Sequence, residues 1–142
     1  MPTGARTTAV LVDTSVAVAL VVADHEHHES TFQALRGRAL GLAGHAAFET
    51  FSVLTRLPPP ARRTPAIVTQ VLTHTFPETR FLGARAAASL LTALGSDRIA
   101  GGSTYDALVG AAANEHQLTL VTRDRRALEI YRRLQVEVEL LA

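Results

Sequence analysis

The chain contains no cysteine and no lysine. Without cysteine it has neither a disulfide framework nor a thiolate metal site, which fits a cytoplasmic protein. Without lysine, all 14 basic residues are arginine. That excludes mechanisms built on an amine, such as a P-loop, a Schiff base or a lysine-assisted phosphoaspartate site. The arginine excess itself reads as the codon bias of a GC-rich genome. Aromatics are scarce, with five Phe and two Tyr. No run of about 18 apolar residues occurs, so no membrane span is expected. The formal net charge of +1 is too small to argue for nucleic-acid binding by itself.

What is present is a chain of 142 residues, nearly half of them apolar, enough for one domain (1–142) with a real core. Residues 1–8 read as a loose leader. The apolar stretch that follows is interrupted by Asp13 and Asp24, so it reads as a first strand and helix, not a signal peptide. Residues 9–13 are short, apolar and β-branched, as a buried strand should be. Thr14 or Ser15 can cap a helix to Ala23, and Asp24 a second from His25 to Arg36, which Gly37 stops. A short strand at 39–43 precedes a helix at 45–57, ended by Pro58-Pro59-Pro60. Thr64-Pro65 is a cap followed by proline at the first helical position, opening a helix to Phe76. Thr79–Leu82 reads as a strand and 84–95 as a helix. Ser103 or Thr104 caps the next helix. A strand at 118–122, a helix from Asp124 to Leu134 and a last strand at Val136–Leu141 complete the chain. Five strands alternating with helices indicate an α/β fold with a mainly parallel sheet.

Four acids sit in apolar company: Asp13, Glu49, Asp106 and Asp124. A carboxylate in such a setting is costly to desolvate unless it is paired, hydrogen-bonded or bound to a metal. Asp13 and Asp124 share a topological position, at or just past the end of an apolar strand and before a helix. In open α/β sheets ligands bind outside those strand ends, where the strand order reverses. Glu49 and Asp106 lie in the first turns of helices, near the apolar stripe, and are expected to face the same end of the sheet. Crowded carboxylates repel and raise one another's pKa. A divalent cation removes that penalty, and an all-oxygen donor set suits Mg²⁺ or Mn²⁺ better than Zn²⁺. Such a site can activate water and clamp a phosphate oxygen, and the natural chemistry is phosphodiester hydrolysis. Taken singly, each acid could instead be structural; Asp124 before Arg125-Arg126 is a plausible helix cap.

The ordered set Val10-Leu11-Val12-Asp13-Thr14-Ser15, Glu49, Tyr105-Asp106-Ala107-Leu108-Val109-Gly110 and Leu120-Val121-Thr122-Arg123-Asp124 resembles a PIN domain. In particular it is similar to the VapC toxins of bacterial toxin–antitoxin pairs, over essentially the whole chain. The resemblance implies a three-layer α/β/α fold around a central parallel sheet, and a metal-dependent endoribonuclease. By analogy Asp13 and Asp106 would be the most direct metal ligands, with Glu49 and Asp124 completing the shell or acting through water. Thr14, Ser15 and Thr122 match hydroxyl positions near the site that could orient the acids or the metal-bound water. The resemblance also implies an RNA substrate, a homodimer and a VapB-type antitoxin whose tail covers the groove.

Arg123, Arg125 and Arg126 flank Asp124 and could hold RNA phosphates, or could form a solvated helix start. Arg62-Arg63, between prolines, could grip RNA or be an exposed loop. His25-Glu26-His27-His28 reads as a polar helix surface, since consecutive helical residues point in different directions. Tyr105 precedes a site acid and could stack on a base, although a core or rim position is the simpler reading. Two other classes compete with the nuclease. A phosphoaspartate receiver or phosphatase is disfavoured by the missing lysine, and by Ser15 where a haloacid-type phosphatase wants a second acid. A non-catalytic RNA- or antitoxin-binding module is disfavoured by the complete acid set.

Overall fold

The computed structural model describes residues 8–142; the expected leader lies, apart from Thr8, outside the described residues. The chain runs β1 (Val10–Val12), α1 (Thr14–Val21), α2 (His28–Leu35), β2 (Leu40–Leu42), α3 (Ala46–Thr55), α4 (Pro65–Thr75), α5 (Ala84–Ser96), α6 (Ser103–Glu115) and β3 (Leu120–Thr122). A 3-10 turn (Arg125–Ala127) then leads into α7 (Leu128–Arg133), and β4 (Val138–Leu140) follows. The sheet order is β2-β1-β3-β4, and every pairing is parallel.

A parallel sheet is buried on both faces, which is why β1, β2 and β3 read as unbroken apolar runs. Alternation along β1 sends Val10 and Val12 into one core with Val16, Leu35, Leu42 and Phe76. Leu11 goes to the opposite core with Val109, Leu120, Tyr131 and Val136. Helices α1 and α2 thus contribute to one face, and α6 and α7 to the other, giving the expected three layers. A third cluster, Leu90, Ile99, Ala107 and Ile130, attaches α5 to the outside of α6 and α7.

Among the described residues the sheet has four strands, not the expected five. Residues 78–80 do run beside β2: Glu78 N–H donates to Leu40 O at 2.9 Å and Arg80 N–H to Leu42 O at 3.1 Å. Between them, however, Leu42 N–H is taken by the Thr79 hydroxyl at 3.0 Å instead of a backbone carbonyl. The ladder is broken there, and only a parallel bridge between Ala43 and Arg80 remains. Gly41 makes this approach possible, since a Cβ there would stand 2.1 Å from Glu78 O.

Helix boundaries differ from expectation at three caps. Asp13, not Thr14 or Ser15, caps α1 by accepting from Val16 N–H. The second helix begins at His28, with residues 23–27 in turns, so Asp24 caps nothing. Gly102, with no side-chain cap, precedes α6. The Thr64 cap with Pro65 behind it forms as the sequence dictates, and Gly37 takes the left-handed conformation (φ 79°) just past α2.

The architecture fixes where a ligand can sit. From β1 the chain crosses to β2 on one side, and later enters β3 on the other. The order therefore reverses between β1 and β3, and the crevice at their carboxyl ends is the natural binding position. Asp13 and Asp124 follow those two strands.

Candidate active site

Asp13 is buried, and all of its acceptor capacity is used. Its Oδ1 accepts from Ser15 Oγ at 2.6 Å and from Val16 N–H at 3.3 Å. Its Oδ2 accepts from Thr122 Oγ1 at 2.5 Å and from the Tyr131 hydroxyl at 3.0 Å. A carboxylate has about four lone-pair sites, so these four donors saturate it. Two of the hydroxyls are themselves oriented. Ser15 Oγ accepts from Arg123 N–H at 3.0 Å and Thr122 Oγ1 from Asp124 N–H at 2.9 Å. Each hydroxyl receives a backbone proton on one side and so aims its own proton at Asp13. Burial pushes the Asp13 carboxyl above the ordinary carboxylate value, against the lowering by Ser15, Thr122, Tyr131 and Val16.

The other three acids are more open. Asp124 follows β3 and caps the 3-10 turn, accepting from Arg126 N–H at 2.9 Å. Its carboxylate also pairs with the Arg126 guanidinium at 3.4 Å. The expected helix-cap role is therefore real, and it places the carboxylate at the strand end. Glu49, one turn into α3, accepts from the Thr14 hydroxyl at 3.1 Å. Asp106, in the first turn of α6, is half-buried. Its carboxyl is pushed up by burial first, then by the negative charges of Asp124, Glu49 and Asp13, while Arg126 opposes the shift.

All four acids line one cavity of about 180 Å³ together with Thr14, Ser15, Val109, Arg126 and Tyr131. Two strand ends and two helix starts thus converge on a single point. Four carboxylates against one guanidinium leave a surplus of negative charge. The donor set is oxygen throughout, which fits a hard divalent cation. Among the described residues, no three of the acids are close enough to form one ready-made coordination sphere. They surround a space instead, an arrangement that suits an ion keeping several of its waters, as Mg²⁺ does.

A model of the PIN domain matches residues 10–133. Ribonuclease VapC40 of Mycobacterium tuberculosis is 48% identical over 130 residues, covering 91% of this chain and 96% of the relative. The chain belongs to the PIN-domain family. Within it, the chain groups with the VapC ribonucleases: Ribonuclease VapC27 of the same organism is 42% identical over 131 residues, covering 92% and 96% of the two chains. The fold also matches that of DNA-bound VapBC from Salmonella typhimurium, with a TM-score of 0.67 at 18% identity, covering 96% of this chain and 100% of that one.

The PIN domain places the expected site residues unevenly. Thr14, Ser15 and Thr122 each hold or orient a site acid. Of the three arginines beside Asp124, only Arg126 lines the cavity. Arg123 is directed elsewhere, to Thr31 Oγ1 at 3.2 Å and the carbonyl of Ala142 at 2.5 Å. Arg62 and Arg63 donate to the carbonyls of Leu57 and Val21, so both are tethered. Residues 25–27 lie in a turn and not on a helix surface, and only His28, which opens α2, is helical; its Nδ1 contacts the Ala19 carbonyl at 2.9 Å.

Tyr131 was not among the residues expected at the site, yet it is fully buried against Asp13 in this PIN domain. A buried tyrosine hydroxyl needs a partner. Burial first, then the adjacent Asp13 charge, pushes its phenol far up, so it stays a donor. No local signal marked it: the 3-10 turn separates Asp124 from α7, and the Tyr131 ring packs in the core with Leu11 and Val109. Gly110 on α6 admits the ring, since a Cβ there would stand 3.1 Å from Tyr131 Cδ1.

Proposed function

We propose that this VapC-type ribonuclease cuts RNA endonucleolytically at the acid cavity, with Mg²⁺ or Mn²⁺ as its cofactor. The observation that carries the reading is the convergence of Asp13, Glu49, Asp106 and Asp124 on one cavity at the switch point of a parallel sheet. PIN-domain relatives named as ribonucleases supply the reaction class. When bound, a divalent ion neutralises the acids, activates water and polarises a phosphodiester oxygen.

The residues divide that work. Asp106 offers carboxylate oxygens to the cavity and, with Glu49 and Asp124, would hold the ion directly or through water. Asp13 supplies a negative charge whose orientation its four donors hold. Thr14 holds Glu49, and Arg126 holds Asp124 and limits the repulsion. Water attacks phosphorus, the bond to one bridging oxygen breaks, and the chain is severed.

The biological reading is the toxin of a type II toxin–antitoxin pair. It acts in the cytoplasm as a homodimer and is neutralised by a VapB-type antitoxin. The Salmonella VapBC complex, which shares the fold, supports the antitoxin partner. Incubation of the purified protein with total RNA tests the chemistry. Cleavage with Mg²⁺ or Mn²⁺, lost in EDTA, is expected; unchanged cleavage in EDTA would sink the reading. Growth arrest on induction, relieved by co-expression of a short antitoxin-type reading frame if one adjoins the gene, tests the biology.

A further inference from the structure

We propose that Tyr105, backed by His45, is a stacking subsite for one unpaired RNA base beside the acid cavity. The inference rests on the ribonuclease reading for its ligand and on geometry for its place. His45 lies one helical turn before Glu49, on the same side of α3. Tyr105 immediately precedes Asp106 on α6. The two rings stack across the gap between the helix starts, with centroids 5.1 Å apart and planes 20° from parallel. The pair therefore stands beside two of the four acids, on the helices that carry them.

The two tyrosines make a telling contrast. Tyr131 is 1% exposed, whereas Tyr105 is 50% exposed. His45 stacks on one side of Tyr105, and the ring is still half-exposed, which leaves room for a second stacking partner. Aromatics are scarce in this chain, and an oriented, half-exposed ring next to a phosphodiester-cutting centre is suited to a nucleobase. Sequence-specific readers of RNA splay single-stranded bases onto such rings, and stacking alone tolerates any base because each has a π-face. A base adjoining the scissile phosphate would be immobilised on Tyr105, and its phosphate carried toward Asp106 and Glu49.

The test uses the full chain in EDTA, so that binding is read without cleavage. The probes are single-stranded uridine-rich RNA oligonucleotides with one 2-aminopurine stepped through the sequence. Wild type and Tyr105→Phe are expected to quench the probe equally. Tyr105→Ala and Tyr105→Leu, the latter keeping apolar bulk without a π-face, should lose the quench and bind about tenfold more weakly. An abasic site at the quenched position should weaken wild-type binding by a similar factor, with no further loss in the variants. Unchanged binding and quenching in Tyr105→Leu would overturn the proposal. So would an abasic penalty that persists in the variants, or a shift in self-association with RNA binding intact, which would assign the face to a second copy. Failure of the ribonuclease reading looks different: the wild type would bind and quench normally but cut nothing with Mg²⁺ or Mn²⁺.

Discussion

Asp13 and Asp106 face the same cavity from opposite conditions. Asp13 is buried and holds four donors, two of them hydroxyls locked by backbone N–H groups. Asp106 is half-buried and surrounded by the charges of three other acids. Both carboxyls are pushed up, with burial as the largest cause in each. At Asp13 the chain's own donors offset part of the desolvation. At Asp106, among the described residues, the charge of Arg126 is the named opposing influence, and the remaining penalty is one that an external cation would relieve. One half of the site is thus finished by folding, and the other is left open.

Substitution should separate the halves. Asp106→Asn is expected to reduce cleavage by at least about 10–100-fold, the range for losing a group that supports a metal site, while leaving the apo fold as stable or more so. Asp13→Asn should lose activity comparably and also destabilise. Whichever way the amide turns, its nitrogen meets two donors, at least one of them oriented by the backbone, and each buried donor left unsatisfied costs about 1–3 kcal/mol. Thermal melts of both variants beside cleavage assays decide it. Equal stability losses would erase the distinction.

Next in size is Tyr131→Phe, which removes one donor from the finished half without emptying the space beside Gly110. Loss of such an outer partner typically reduces metal affinity or activity 10–100-fold. The expected result is a drop of about tenfold in Mn²⁺ affinity, measured by electron paramagnetic resonance, in a folded protein. A Mn²⁺ affinity equal to wild type would mean that Thr122 alone holds Oδ2.

How far the sequence carried this picture follows the same division. Asp13 and Asp124 were legible because a carboxylate ending an apolar strand is a local pattern, and parallel-sheet topology then says where it goes. Glu49 and Asp106 were legible from their place in the first helical turn. The Asp13 donors were only half legible. Ser15 and Thr122 are sequence neighbours of site acids, whereas Tyr131 reaches Asp13 across 118 positions and announces itself only once α7 is packed on α6. The missing fifth strand is a similar case. Residues 79–82 have strand character, and nothing local says that the Thr79 hydroxyl will displace a ladder bond. Arg123 shows the limit for cations: three arginines in one motif look equivalent, yet tertiary contacts draw one of them away.

Smaller, and shared by both halves, is the effect of pH on the apo protein. A carboxyl whose folded pKa exceeds its unfolded value binds more protons when folded, so stability is lost as pH rises from the unfolded value through the folded one. In EDTA the wild type should therefore lose stability as pH climbs above the ordinary carboxylate value of 3.8. Asp106→Asn should lose less. Mg²⁺ should restore stability to the wild type at neutral pH by binding the folded state, and should restore less to the variant. A Mg²⁺ effect identical in both would detach Asp106 from the ion.

The smallest expected effect distinguishes the arginines. Arg126 lines the cavity, and its side chain is 92% exposed despite the contact with Asp124. Arg123 has its guanidinium engaged by Thr31 and Ala142. If Arg126 also meets a phosphate of single-stranded RNA, Arg126→Ala should reduce the slope of log affinity against log salt by about 0.7, the contribution of one counterion on a single strand. Arg123→Ala should leave that slope unchanged, because its charge is held by the fold and not offered to the groove. Binding titrated over several salt concentrations in EDTA reads this directly. An equal fall for both variants would show that the Arg123 tether gives way when RNA binds, and would move that residue from the finished half of the site to the open one.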